Sequence, residues 1–516
     1  MQRVPVWGET HSNHRSVALL IAAILCVLFA SPAAAQTSYS EHTGMPLNLW
    51  LTVAGVATAP LSFDKEGVGF SYESDLFDVG FDFVLNNDQK YTPSELHMRG
   101  RYFDLRDGHL SVHTHGFSLT AGRVVHRDET PGPYSLFISS ADLPTTLVDF
   151  RLDTGFFFYN TRWLELNRQS ELYTYSRPVL DADGEKTDEY VEVPLDRGAV
   201  YKVYGVDFGR LRVGLQESVV YLYRSFYPEY FFSPLPMYFT QLVNSTTGKP
   251  WTQIANENSM MGFFVDYQFD DALVFGQFLI DDWNEMGIDW LGVGEWNNPA
   301  KFAWYLGGEI DLGLGTLGLY QAGATKYTFE PTYQGDRSYG FTEYNAYPYS
   351  YTYFPVTEYE KDDGTLMPIL PQDNYIGYLH GENNVAIMAS FDSEAYGVDY
   401  RAALEYTISG PKSPANPWHE DGWHSQQGTQ LLDGPREEHK LLLSTTAQRW
   451  FGPVRVQGSI ELGGVWNELE LRSVEEEPGA SGIFTPSDEH RFLWRFGLEL
   501  RWVLGVQDSA AEGEAE

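Results

Sequence analysis

Apolar and polar residues alternate with a period of two over long stretches of the chain, most clearly in its second half. The pattern is present in residues 396–407, 454–466 and 491–504. Successive side chains of a β-strand point to opposite faces, so each stretch predicts a strand with one apolar face. In the last stretch the apolar face consists of Phe492, Trp494, Phe496, Leu498, Leu500, Trp502 and Leu504. The charged residues of the other face are Arg491, Arg495, Glu499 and Arg501.

Alternation alone would also fit a half-buried strand of a soluble β-sandwich. The length of these strands favours a membrane barrel instead. The three stretches contain 12, 13 and 14 residues. Strands of soluble proteins average about 5–6 residues, whereas a tilted membrane strand needs about 9–11. Aromatic residues cluster towards the strand ends, as the interfacial girdles of a barrel require.

Short and long connections alternate along the second half of the chain, which is typical of barrels with short periplasmic turns and long extracellular loops. This alternation predicts ten strands from about residue 211 to residue 504, and six to eight more before them. The sequence therefore predicts an all-β fold, a transmembrane antiparallel β-barrel of about 16–18 strands without a helical domain. The expected tight turns lie at residues 208–210, 270–271, 313–316, 392–395 and 451–453.

The first 35 residues predict export. Basic residues precede an apolar run from Val17 to Ala30, and Ala33-Ala34-Ala35 supplies a small-residue cleavage site. These features are typical of a secretory signal peptide over residues 1–35. We expect the barrel to occupy residues 36–505 and residues 506–516 to form a disordered acidic tail. An exported barrel is expected in the outer membrane of a diderm bacterium, in contact with its lipid.

Composition and charge exclude several classes of function. The chain of 516 residues has 71 Asp and Glu against 34 Lys and Arg, a formal net charge of -37, which disfavours binding to nucleic acid. Its single cysteine excludes a disulfide scaffold. The sequence has no nucleophile motif and no metal or cofactor signature, so we expect neither catalysis nor a cofactor.

Several short motifs follow one another between about residues 210 and 285, and a related one lies further on. They are Glu217-Ser218-Val219-Val220-Tyr221, Tyr227-Pro228-Glu229-Tyr230, Ser233-Pro234-Leu235-Pro236, Met261-Gly262, Phe278-Leu279-Ile280-Asp281-Asp282 and Gly377-Tyr378-Leu379-His380-Gly381. Their order resembles the capsule-assembly Wzi family of outer-membrane proteins. The family-like positions are Glu217, Ser218, Tyr221, Pro234, Asp281 and Asp282.

The resemblance implies a large monomeric barrel, eighteen-stranded in the enterobacterial type member of the family, that binds capsular polysaccharide at the outer surface. It therefore favours a protein that binds or organises a surface polysaccharide, capsular or other. A substrate-selective porin or transporter of the outer membrane, built on the same shell, is the alternative.

Aromatic residues in two long connections are candidate contacts for a polysaccharide. Tryptophan rings stack on the apolar faces of sugars, and tyrosine is a rigid amphipathic contact residue. The alternatives are girdle or loop-packing roles for the tryptophans and a self-packed cap over the barrel mouth for the tyrosines. The candidate residues are Trp283, Trp290, Trp296, Tyr344, Tyr347 and Tyr351.

Charged residues of both signs occupy the predicted lumen face of the last strands. Mixed signs inside a barrel most often form ion-pair networks, whereas a selective pore more typically segregates charge at its constriction. The pattern therefore favours a narrow or plugged lumen. The residues are Asp399, Arg401, Glu405, Arg455, Glu461, Arg495, Glu499 and Arg501.

Overall fold

The computed structural model describes most of the chain. It covers residues 47–58, 63–88, 90–91, 100–170, 172–180, 186–245, 248–251, 257–282, 299–331, 349–415, 429–432, 434–472 and 482–504. The predicted signal peptide (residues 1–35) and the predicted acidic tail (residues 506–516) lie outside these ranges.

Eighteen strands of the described chain form one closed antiparallel sheet, in which the last strand pairs with the first. Closure gives every strand two neighbours and leaves no sheet edge open to lipid. The predicted barrel is confirmed, with ten strands from Leu211 onward and eight before it. The barrel strands are β1 (Leu47–Thr58), β2 (Phe63–Glu73), β3 (Phe77–Asn86), β4 (Tyr102–Thr114), β5 (Phe117–Val125), β6 (Pro144–Asp153), β7 (Phe157–Asn167), β10 (Arg197–Asp207), β11 (Leu211–Leu222), β12 (Glu257–Gln268), β13 (Ala272–Asp282), β14 (Lys301–Asp311), β15 (Thr316–Ala324), β18 (Asn384–Ala395), β19 (Val398–Ser409), β20 (Glu438–Phe451), β21 (Val454–Trp466) and β24 (His490–Leu504).

The remaining elements lie within the longer connections, all at one end of the barrel, which we call the loop end. They comprise three two-stranded hairpins and three short helices. None of the described helices is long and apolar enough to cross a membrane. The elements are β8 (Thr174–Leu180) with β9 (Lys186–Pro194), β16 (Glu358–Glu360) with β17 (Leu366–Pro368), β22 (Leu469–Arg472) with β23 (Ile483–Pro486), and the helices α1 (Pro228–Phe232), α2 (Met237–Ser245) and α3 (Pro371–Asn374).

The outer surface of the barrel is apolar where the sheet closes. β1 and β24 pair so that Leu51 lies opposite Trp502 and Val53 lies opposite Leu500. These four side chains are 43–55% exposed and point away from the lumen. A register shift of one residue would turn them inward and the charged residues of β24 outward. The closed register therefore presents an apolar belt to lipid, as the alternation in residues 491–504 predicts.

Tight turns join the strands at the opposite end, which we call the turn end. One predicted turn is misplaced: β18 continues through residues 392–395, and the reversal occurs at Tyr396 and Gly397. Both turn residues have positive φ, 56° and 69°. Two-residue hairpins favour this geometry because its twist matches that of the strands. The polar run Asp392-Ser393-Glu394 suggested a turn that the backbone makes two residues later.

The alternation is less regular in the first half of the chain because the parity of β4 changes within the strand. The register between β3 and β4 shifts between Asp82 and Phe83, where Arg106 is the extra residue. Before this bulge the outward residues have odd numbers, such as Leu105, and after it they have even numbers, such as Leu110. A bulge inserts one unpaired residue and so reverses the faces that follow. The period-2 pattern is therefore interrupted in the sequence.

A single charge on the apolar belt should destabilise the barrel. Leu404 points outward near the middle of β19, whereas its neighbour Ala403 faces the lumen. We expect Leu404→Arg to lower the free energy of unfolding by about 2–4 kcal/mol, the cost of arginine on the lipid face near the bilayer midplane. Denaturant titration in liposomes, followed by tryptophan fluorescence, measures this change. Ala403→Arg is the control, and an equal loss for both variants would contradict the assigned faces.

Candidate functional site

The connection between β5 and β6 folds into the barrel lumen. We call its residues 128–140 the inner plug. Its central side chains form one apolar cluster with inward-facing strand residues such as Tyr201 and Tyr305. The lumen at this level therefore contains a packed core. The plug side chains with 0% exposure are Tyr134, Leu136, Phe137 and Ile138.

Hydrogen bonds hold the inner plug to strands that lie far from β5 and β6 around the barrel. The Tyr134 hydroxyl donates to Glu405 of β19 at 2.5 Å. Gln277 of β13 accepts the backbone N–H of Leu136 at 2.8 Å and donates to Asp128 at 2.8 Å. Buried polar groups need such partners because an unsatisfied one costs about 1–3 kcal/mol. These bonds fix the plug across the barrel.

The inner plug extends towards the turn end through an ion-pair group. Glu129 accepts from Arg151 of β6 and from Arg212 of β11, the latter at 2.9 Å. Arg212 also lies 3.5 Å from Asp266 of β12. A cavity of about 440 Å³ lies beside this group. Its charged lining residues are Arg127, Asp128, Glu129, Arg210, Arg212 and Asp266.

A second layer, which we call the outer cap, covers the plug at the loop end. The outer cap comprises residues 325–331, 349–354, 374–383 and 410–415. The Tyr351 hydroxyl donates to the carbonyl of Phe137 at 2.7 Å, and the backbone N–H of Ser139 donates to the carbonyl of Ile376 at 2.6 Å. The cap and the plug therefore form one continuous folded body inside the barrel.

Arg197, the first residue of β10, ties the outer cap to the barrel wall. Its side chain is completely buried. The guanidinium donates to the carbonyls of Ser350 at 2.8 Å and Thr352 at 3.0 Å, and to the amide oxygen of Asn167 at 2.9 Å. A planar group with five donors suits this set of acceptors better than an ammonium would.

Two buried carboxyl groups lie within the outer cap. Ser413 donates through its hydroxyl to Glu330 at 2.6 Å and through its backbone N–H to Glu382 at 2.6 Å. Burial, and then the neighbouring Glu382, raise the pKa of the Glu330 carboxyl well above its usual range. Lys301 and Lys412 bring ammonium groups to the backbone carbonyls of Glu330 and Glu382 at 2.6 and 2.9 Å. The geometry fits a pair of carboxyl groups of which one keeps its proton.

Most of the predicted aromatic contacts fall outside the described residues. These are Trp283, Trp290, Trp296, Tyr344 and Tyr347, whose role stays a prediction. Tyr351 is described, and its side chain has 0% exposure. Its ring packs beside Phe329, and its hydroxyl is used by the inner plug. Of the two alternatives for the tyrosine-rich stretch, Tyr351 fits the self-packed cap, because a residue buried in this way is not on an exposed ligand surface.

The family-like positions separate into two places. Glu217 and Tyr221 point outward from β11, whereas Ser218 between them points inward. Pro234 lies between α1 and α2, so this part of the motif is on the outside of the barrel wall. Asp281 and Asp282 end β13, and Asp281 lies 3.2 Å from Lys301 and accepts the backbone N–H of Phe329. The second part therefore supports the outer cap.

The predicted lumen charges are paired inside the barrel. Arg455 donates to Glu499 at 2.8 Å, and Arg501 lies 3.8 Å from the same carboxylate. The other contacts join Arg495 with Glu461 at 3.8 Å, Arg401 with Asp392 at 3.4 Å, Asp399 with Gln448 at 2.9 Å and Glu405 with His380 at 2.8 Å.

Sequence reasoning missed the inner plug. The segment Tyr134-Ser135-Leu136-Phe137-Ile138 lies between predicted strands, and nothing in its spacing says whether it folds inward. One signal was present: a run of large apolar residues directly after Pro131-Gly132-Pro133 is unusual for a solvated loop. Such a run must be covered, and in a wide barrel the lumen can cover it.

The buried carboxyl of Glu330 makes the outer cap sensitive to pH. A carboxyl with a raised pKa in the folded state stabilises the fold when protonated, and this contribution is lost as pH rises through the raised pKa. We expect the melting temperature of the wild type to fall as pH rises above the ordinary Glu range, about 4.3. Glu330→Gln keeps a neutral acceptor for Ser413, so its pH dependence should be flatter.

The control is Glu360→Gln, at an exposed position of β16 outside the cap. Melting curves in detergent micelles, recorded from pH 4 to pH 10 by circular dichroism, compare the three proteins. Identical pH profiles for the wild type and Glu330→Gln would show that Glu330 is not the titrating group.

No protein-family model and no curated protein matches the chain. Among solved structures it is similar to Wzi of Escherichia coli, described as a carbohydrate-binding β-barrel involved in group 1 capsule assembly, at 12% identity and a TM-score of 0.49, over 95% of this chain and 89% of that one. It is also similar to OccD3 of Pseudomonas aeruginosa at 9% identity and a TM-score of 0.41, over 92% and 94% of the two chains. It is similar as well to OpdK of the same organism, at 9% identity and a TM-score of 0.40, over 89% of this chain and 98% of that one. The comparisons thus include both a carbohydrate-binding barrel and other outer-membrane barrels, and membership of the Wzi family stays a prediction.

Proposed function

We propose that this protein is a monomeric barrel of the outer membrane that binds or organises a surface polysaccharide, capsular or other, through its aromatic extracellular loops. It catalyses no reaction in this proposal and needs no cofactor. The observation that carries the proposal is that the inner plug and the outer cap fill much of the lumen. A barrel whose interior is occupied by folded chain acts at its outer surface.

The packing of the plug supports a structural role for the lumen. Tyr134 makes edge contacts with Tyr305 of β14 and with Tyr378 of the cap, with ring centroids 5.9 Å apart in both pairs. Phe137 packs against Tyr201 of β10 at 6.1 Å. Aromatic pairs of this kind add about 0.5–1.5 kcal/mol each beyond the area they bury. Removing the plug would expose this apolar cluster, so transient opening is costly.

The chemistry of the outer connections suits a carbohydrate. Residues 283–298 and 332–348 contain Trp283, Trp290, Trp296, Tyr344 and Tyr347, with carboxylates and amides between the tryptophans. Ring faces stack on the apolar faces of sugars, and the polar groups can bond the hydroxyls. The first connection follows Asp282, and the second follows residue 331 of the outer cap.

A substrate-selective porin is the second candidate, and one observation favours it. The lumen charges on β21 and β24 remain partly exposed: the side chains of Glu499 and Arg501 are 25% and 26% accessible. Water therefore reaches this sector of the lumen, which the plug leaves uncovered. A narrow path along these strands would suit a small charged solute.

Conductance separates the two candidates. We expect the wild type to give no steady open current in a planar bilayer, because the plug and the cap cross the lumen. Replacing residues 130–139 with a Gly-Ser linker should open a conducting path, since these residues form the buried centre of the plug. The control replaces residues 361–365, the tip of the β16–β17 hairpin, with a similar linker. A large open current in the wild type would favour the porin and count against the proposal.

Binding to glycans tests the polysaccharide assignment. On an array of bacterial surface polysaccharides, the wild type should bind at least one glycan, and the double variant Trp290→Ala with Trp296→Ala should lose most of that binding. Trp502→Ala is the matched control, because Trp502 is exposed on the outer wall near the turn end. Equal binding by the wild type and the double variant would show that residues other than Trp290 and Trp296 bind the glycan.

A further inference from the structure

The connection between β11 and β12 folds in the opposite direction from the plug, onto the outside of the barrel wall. We call residues 225–245, which contain α1 and α2, the flap. Val200 of β10 and Val219 of β11 point away from the lumen, yet both have 0% exposure because Tyr230 and Phe231 of the flap cover them. Their chain neighbours on the other face pack towards the plug, as Tyr201 does.

Hydrogen bonds fix the flap to outward-facing groups of neighbouring strands. Trp163 of β7 donates to the carbonyl of Ser225 at 2.6 Å, and Thr161 donates to the carbonyl of Phe231 at 3.0 Å. On the other side, the Tyr230 hydroxyl donates to Glu257 of β12 at 2.5 Å. The flap thus spans the outer wall from β7 to β12.

The flap covers two charged side chains on the outer wall. Lys202 and Glu217 are partners across β10 and β11, and both are at most 2% exposed. Lys202 donates to the carbonyl of Ser233, and Glu217 accepts the backbone N–H of Met237 at 2.9 Å. The flap therefore supplies backbone partners to an ammonium and a carboxylate that the strands direct outward.

This charged pair lies at the depth of the membrane. Lys202 is six residues from Phe208, which is exposed at the tight turn. A strand rises about 3.3 Å per residue and tilts by about 35–45°, so six residues advance about 15 Å along the barrel axis. The apolar belt of such barrels is about 25 Å tall. Without the flap, the pair would face hydrocarbon.

The outward face of the flap is itself apolar. Glu229 is the one charged residue of the flap, and none occurs from residue 230 to residue 248, in a chain with a net charge of -37. Leu215 and Phe263 on the strands nearer the turn end are also exposed, at 38% and 54%. The belt of the barrel and the face of the flap are therefore continuous. The large exposed residues of the flap are Phe232 (72%), Leu235 (60%), Tyr238 (43%), Phe239 (59%), Leu242 (46%) and Val243 (56%).

We propose that the flap is embedded in the outer leaflet of the membrane, with the acyl chains of membrane lipid against its apolar face. Amphipathic segments bury their apolar side at the boundary of headgroups and acyl chains, and exposed aromatic residues such as Tyr238 suit the interface. The flap extends the lipid-facing surface over Lys202 and Glu217 and so allows two charges on the wall of a membrane barrel. The proposal is independent of whether the barrel binds a polysaccharide or conducts a solute.

Fluorescence quenching in liposomes tests this placement. The full chain, with Cys26→Ser, carries one environment-sensitive label at Phe239→Cys. Phe263→Cys is the control on the apolar belt, and Tyr396→Cys, 84% exposed at a tight turn, is the aqueous control. Lipids with spin-labelled acyl chains should quench the labels at positions 239 and 263 to a similar extent. Iodide in the buffer should quench the label at position 239 several-fold less than the label at position 396.

Two outcomes would overturn the proposal. Iodide quenching at position 239 equal to that at position 396 would place the flap in water. Protection from both quenchers, together with a dimeric mass in nanodiscs, would mean that a second copy covers the flap. As an independent measurement, Phe239→Asp with Leu242→Asp should lower the melting temperature in liposomes more than in detergent. Leu366→Asp, at an exposed position of β17, is the control and should not change the melting temperature in liposomes or in detergent.

Discussion

The width of an eighteen-stranded barrel is the constraint on which the rest of the structure depends. The outer face must be apolar, and the sheet must close because lipid offers no hydrogen bonds to an open edge. Barrels of this size enclose a lumen that side chains alone do not fill. In this chain the long connections fill much of it: the inner plug reaches from β5 and β6 to Gln277 and Glu405, and the outer cap packs on the plug. The barrel thus has a buried core like that of a soluble domain.

The need to cover apolar side chains explains why the plug folds inward and the flap folds outward. The plug is an apolar segment whose neighbours are the inward rings of the strands, so it is stable in the lumen. The flap has polar backbone groups directed at Lys202 and Glu217 and apolar side chains directed away from them. A segment with this arrangement is stable on the outer wall only if lipid covers its other side. The plug covers the inward rings of the strands, and the flap covers the charged pair on the outer wall.

The barrel could be predicted from the sequence because its signal is local. Alternation in β19, β21 and β24 identifies the lipid face and the charged lumen face residue by residue. The bulge at Arg106 interrupts this signal in β4, so the alternation predicts only a range of six to eight strands for the first half of the chain. The position of the plug depends on contacts between residues more than a hundred positions apart, such as Tyr134 with Glu405. The position of the flap depends on contacts between residues up to 70 positions apart, such as Thr161 with Phe231. Neither periodicity nor composition encodes such contacts, and the aromatic residues expected to bind sugar lie largely outside the described residues.

The central claim is that the plug is a permanently folded part of the barrel interior. Hydrogen–deuterium exchange of the amides in residues 134–139 tests it most directly. The backbone N–H of Leu136 is bonded to Gln277, and that of Ser139 is bonded to Ile376. We predict that these amides exchange as slowly as those of β13, whose strand pairs persist until the barrel unfolds. Exchange as fast as in the exposed tip of the β16–β17 hairpin would mean that the plug opens readily, and it would contradict the account.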